Sequence, residues 1–181
     1  MKPTIFTTIF LLSATLLSAQ LKVNNSASSM AVDGTSNVHD WTENVETING
    51  TCAATINGGS LAEISSLHVT IPVRSIKSGK STMDKNTYNA MKADKYPNIV
   101  FNLKSASISG NKVVLNGTLT IAGKTNNVSI TSNYTVAGGK LTIKGDYKMK
   151  MTQYGIDPPT AMLGAMTTGD NLTIRFNLVF N

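Results

Sequence analysis

From residue 67 onward, apolar side chains recur at every second position in one run after another, and this alternation decides what the chain can become. A period of two places successive side chains on opposite faces of an extended strand, so each run has one apolar face and one polar face. Leu67, Val69, Ile71 and Val73 alternate with His68, Thr70 and Pro72, and Ile99, Phe101 and Leu103 alternate with Val100 and Asn102. Val113, Leu115, Gly117, Leu119 and Ile121 form a longer run, followed by Val128, Ile130, Ser132, Tyr134 and Val136. Leu141, Ile143, Gly145, Tyr147, Met149 and Met151 come next, and Leu172, Ile174, Phe176, Leu178 and Phe180 close the series. The turns between runs are short and rich in Gly and Asn: Ser109-Gly110-Asn111, Ala122-Gly123-Lys124 and Ala137-Gly138-Gly139-Lys140. Such connections force antiparallel neighbours, because a parallel pair needs a crossover of about a dozen residues.

Two earlier strands are expected, over residues 30–35 and 45–56, for a total of about eight. A sheet of that size must bury its apolar face, and the sequence supplies no helical layer to cover it. The sheet therefore closes on itself or folds into a sandwich. One segment breaks the rhythm: residues 81–93 carry Met83, Thr87 and Met91 at helical spacing and end before Tyr96-Pro97, which predicts a short helix with both methionines inward. The stretch 157–164 reads as an ordered loop folded against an opening or an end of the sheet. Charged residues are 14% of the chain, against about 25% in an average soluble protein, which excludes a coiled coil, a helical bundle or a disordered tail. At 181 residues and 41% apolar content, one hydrophobic core and one domain are expected.

Residues 1–19 have the form of a secretory signal peptide: Met1-Lys2, an apolar stretch from Ile5 to Leu17, and small residues before a cut after Ala19. The stretch is too short to span a bilayer, and no later segment is long and apolar enough to do so. Residues 20–181 are thus expected as the mature domain, exported to a periplasm or secreted. Cys52 is the single cysteine, so stability must come from the core, and a small buried hydrophobe is its expected role.

The net charge of +6 is unevenly placed: 20–73 carries −4 and 74–150 carries +10. The lysines are scattered singly along strands with no nucleic-acid-binding signature, so no nucleic-acid partner is expected. His39-Asp40-Trp41 is the most suggestive triplet, but consecutive strand residues face opposite ways, and packing of Trp41 with a hydrogen-bonded His39 is the expected role. No Walker loop, HExxH, paired CxxC or GxSxG is present, and nothing in the spacing of His39, His68 and Cys52 indicates a metal. No enzyme, metal or cofactor is expected.

Three stretches, in order and spacing, resemble the YceI-like family of exported lipid- or polyisoprenoid-binding proteins. They are Arg74-Ser75-Ile76-Lys77-Ser78-Gly79, Lys95-Tyr96-Pro97-Asn98-Ile99-Val100-Phe101, and Leu115-Asn116-Gly117-Thr118-Leu119-Thr120-Ile121-Ala122-Gly123-Lys124-Thr125. Tyr154-Gly155-Ile156 and Gly169-Asp170-Asn171-Leu172 also fall at places where the family has a loop and a final strand entry. The resemblance covers residues 30–181 and implies an all-β, antiparallel lipocalin-like barrel of about eight strands with a short helix, enclosing an elongated apolar pore. Eight strands leave an interior that is filled by side chains or holds one slim ligand.

The residues expected to line such a pore are Val69, Ile71, Phe101, Leu119, Ile121, Ile143, Tyr147, Met149 and Phe176. A phosphate-bearing head group would find cations at Arg74, Lys77 and Lys80. The implied function is that of a carrier or sequestering protein for an isoprenoid or other long-chain lipid. The competing expectation is an envelope protein whose barrel is filled by the same side chains and acts through its surface, and either reading allows a homodimer.

Overall fold

The structure is a computed structural model that describes residues 18–181. The expected signal peptide lies outside the described residues except for Ser18 and Ala19. Those two open the first strand, β1 (Ser18–Lys22), which runs antiparallel to β4 (Asn49–Asn57), so a cut after Ala19 leaves Gln20, Leu21 and Lys22 paired with Ala53, Cys52 and Thr51.

The remaining strands are β2 (Ser29–Ser36), β3 (Trp41–Val45), β5 (Ser60–Pro72), β6 (Ile76–Lys77), β7 (Asn98–Ser109), β8 (Lys112–Ile121), β9 (Lys124–Ala137), β10 (Lys140–Lys150), β11 (Thr160–Ala161) and β12 (Met166–Phe180). They form one antiparallel sheet in the order β1-β4-β5-β7-β8-β9-β10-β12-β2-β3-β6, with β11 paired to β12. The sheet curls into a lipocalin-like barrel. At one end its first strand meets its eighth: Lys22 and Asn181 exchange backbone hydrogen bonds at 2.9 and 3.0 Å, and Asn24 N–H donates to Val179 O at 2.8 Å. At the other end the chain leaves β5 through a 3-10 turn, Val73–Ser75, and β6 crosses over to pair with β3.

Among the described residues twelve strands replace the expected eight: β1 lies before the first expected strand, and the other three additions have local reasons. The single strand expected over 45–56 is two, β3 and β4, because the chain turns at 46–48. Asn25 holds that turn, its amide donating to Glu46 O at 3.0 Å and its carbonyl accepting from Ile48 N–H at 2.7 Å. β6 and β11 are two residues each, too short for periodicity to register. The long strands follow the expected phase: Val113, Leu115, Leu119 and Ile121 on β8 are buried while their alternates are half-buried or exposed.

The helix, α1 (Ser81–Ala90), is three residues shorter at its C-terminus than expected. Its first turn is tied down by Asp84, which accepts hydrogen bonds from the Ser78 backbone and hydroxyl at 2.7 and 2.6 Å, an acid placed where the helix dipole favours one. After Ala90 the chain turns, with Ala93 N–H bonding Tyr88 O at 2.9 Å, and the YP dipeptide leads into β7.

Candidate functional site

α1 lies across the mouth of the barrel and presents one face to a cavity of about 500 Å³. Positions three and four apart share a helix face, and Met83, Asn86, Thr87, Ala90 and Met91 all border this space. The expected inward methionines therefore face a void rather than a solid core. The other walls are Val32 and Ser36 of β2, His39, Trp41 and Glu43 from the β3 side, Met149 and Met151, the segment Ile156, Pro159 and Thr160, and Met166, Thr168, Leu172 and Ile174 of β12. The 157–164 segment folds against the opening as the sequence suggests.

A second, smaller cavity of about 110 Å³ lies deeper in the barrel, and its lining is almost wholly apolar. Val32, Ile76, Ile99, Ile121 and Ile174 border both spaces and form a neck between them. All five are β-branched, so each is stiff at χ1 and the neck has little freedom to close by rotamer change. Beyond the inner chamber the barrel is filled. Cys52, Val113, Leu141 and Phe180 have no exposure at all, and Leu21, Ala54, Leu61 and Ile64 pack with them. The void is a blind funnel open at the helix end, rather than a pore along the whole barrel.

Val69, Ile71, Phe101, Leu119, Ile121, Ile143, Tyr147 and Phe176 all border the inner chamber, and Met149 borders the outer one. The structure thus brings the nine together around one connected space. Of the three cations considered for a head group, Lys80 alone borders the cavity, at its exposed rim. Arg74 pairs with Asp94 at 2.6 Å and stacks on Tyr88, and Lys77 lies 3.8 Å from Asp84 and over the same ring.

Sequence reasoning missed Trp41 and Glu43 as wall residues. The Trp41 indole covers Gly34, its cross-strand partner, so closely that a Cβ there would collide with the ring. The indole N–H donates to Thr35 O at 3.0 Å, which fixes the ring at the mouth. Glu43 is 2% exposed and accepts a hydrogen bond on Oε1 from Thr87 Oγ1 at 2.7 Å. Burial pushes its carboxyl above the usual range, the nearby Asp84 adds to this, and the Thr87 bond opposes it. A period-two signal existed: Trp41, Glu43 and Val45 share one face of β3, with Thr42 and Asn44 on the other.

The histidines and the cysteine do not converge. His39 is exposed at the rim with Nδ1 2.9 Å from Asp40 O. His68 is on the outer face of β5, between Asn102 Oδ1 at 2.7 Å and Thr70 Oγ1 at 2.9 Å. Cys52 faces the filled base, where burial pushes its thiol up to about 12. Among the described residues no three His, Cys, Asp or Glu side chains gather as a metal site. What the walls can do chemically is take apolar surface out of water and offer one buried carboxyl.

Solved structures share this architecture. Burkholderia cenocepacia BcnA superposes with a TM-score of 0.74 at 20% identity, covering 87% of this chain and 98% of its own. A polyisoprenoid binding domain from Saccharophagus degradans, implicated in plant cell wall breakdown, gives 0.71 at 12% identity, covering 89% and 97%. The Campylobacter jejuni YCEI protein gives 0.58 at 21% identity, covering 99% and 97%. No curated protein matches in sequence. The YceI-like domain model matches residues 19–180, nearly the whole described chain, and the protein belongs to the YceI-like family.

Proposed function

We propose that the protein is an exported, non-enzymatic carrier or sequestering protein that holds a polyisoprenoid or another long-chain amphiphile, tail inward, in the two-chambered cavity. The observation that carries the reading is the open apolar void in a barrel whose base is tightly filled. Inward side chains around Cys52, Val113, Leu141 and Phe180 leave no space, while those above the neck line about 500 Å³. Each CH₂ that enters such a space contributes about 0.8 kcal/mol, so a long chain binds with few polar contacts once the entropic cost of association is met. The polyisoprenoid-binding description of the Saccharophagus degradans domain supports the same ligand class here. Export rests on the form of residues 1–19.

Arg substitution of a wall residue tests the reading. Leu119→Arg or Ile143→Arg puts a charge into the inner chamber, and a radiolabelled prenol that travels with the wild-type protein through gel filtration should be released from either variant. Undiminished retention by a folded variant would contradict the proposal.

A further inference from the structure

Glu43 is a costly residue to place where it is. A carboxyl that is 2% exposed, on the wall of a mostly apolar cavity, carries a desolvation penalty that one hydrogen bond does not remove. Thr87 satisfies Oε1, and among the described residues Oε2 has no hydrogen-bond partner. Oε2 is not fully enclosed, unlike the unpaired Ser132 Oγ, so it keeps a little accessible surface, and Glu43 borders the cavity. Among the described residues no cation pairs with it: the ion pairs engage Arg74, Lys77 and Arg175 with Asp94, Asp84 and Asp33. Lys80 is solvated at the rim.

Its height in the barrel gives this carboxyl a use. Glu43 pairs in register with Val32, one of the five neck residues. A ligand whose tail passes the neck into the inner chamber leaves its polar end in the outer chamber, beside Oε2. A phosphate or carboxylate there would face a like charge in a low dielectric, whereas an O–H or N–H would complete the hydrogen bonding of the acid.

We infer that Glu43 recognises the ligand's head group and that this head group is an uncharged hydrogen-bond donor, an alcohol or amide, rather than a phosphate or carboxylate. The inference rests on the lipid-carrier reading above and adds the polar end of the ligand to it.

Calorimetric titration of the full protein with farnesol, farnesyl monophosphate and farnesene tests it. The wild-type protein should prefer farnesol over the phosphate by about tenfold or more, and over the hydrocarbon by a smaller factor. Glu43→Gln keeps the shape and removes the charge, and should bring the alcohol and the phosphate towards parity. A wild-type protein that binds the phosphate as tightly as the alcohol overturns the inference, as does a ratio unchanged in Glu43→Gln. Should the variant not fold, the wild-type ratio decides alone. Equal binding of all three probes overturns the role of Glu43 and leaves the carrier reading intact; binding of none overturns both.

Discussion

The ring of Phe101 reaches over Gly117, which lies diagonally across the β7–β8 pair because Phe101 faces Leu119 in register and Gly117 faces Leu103, and a Cβ on Gly117 would stand 2.8 Å from the ring's Cζ. The same Cβ would also collide with the backbone carbonyl of Asn102, which cannot swing away. The missing side chain is what lets a full aromatic ring fit inside the barrel and wall the inner chamber. Gly117→Ala should therefore lower stability by about 1–3 kcal/mol, the usual range for overpacking, seen as a lower urea midpoint at unchanged slope. An unshifted midpoint would show that the ring relocates freely.

Trp41 is the only tryptophan and it borders the outer chamber. Its emission should shift to the blue and change intensity as a prenol fills the cavity and displaces water from the indole. A spectrum that stays constant through saturation, with binding seen by calorimetry, would place the ligand elsewhere.

The neck predicts a length selection. Ile174→Phe adds bulk where the two chambers join, and should cut retention of farnesol and longer prenols while leaving geraniol, short enough for the outer chamber alone, within a few-fold of wild type. Equal loss for all chain lengths would contradict a two-chamber route.

Glu43 makes stability fall with pH. Its folded-state pKa lies above the ordinary 4.5, so the native state holds a proton that the unfolded chain gives up first, and stability declines as pH rises from about 4.5 through the folded value. Glu43→Gln has no such loss. It should be more stable than wild type at neutral pH, and the advantage should shrink as the pH is lowered towards the unfolded-state value, as followed by thermal melts. Variants of equal stability across the range would mean that the carboxyl is solvated.

Cys52 has no exposed surface and its thiol is pushed up to about 12 by burial. It should be inert to a disulfide reagent at mildly alkaline pH in the native protein and react fully in denaturant. Rapid native labelling would show that the base of the barrel opens.

The barrel was legible in the sequence because its strands are long and one-sided. On β8, Val113 to Ile121 announce both the strand and its inner face, and the nine wall residues follow from that parity. The break between β3 and β4 was not legible, since the side chain that holds it, Asn25, comes from a distant turn. Nor was the filled base: alternation marks Leu141 and Ile143 as inward alike, and only the closure of β1 onto the end of β12 decides that Leu141 packs solidly while Ile143 borders a void. Glu43 escaped because it falls between the strands expected over 30–35 and 45–56, where a charge reads as solvated, although its neighbours two positions away, Trp41 and Val45, share its face.

Mass spectrometry of an organic extract of the purified protein decides whether the cavity carries a lipid. A co-purifying long-chain lipid with an uncharged polar end is expected in near-stoichiometric amount, and none from a folded Leu119→Arg preparation. An extract free of lipid, from protein that also fails to take up added prenol, would contradict the carrier reading.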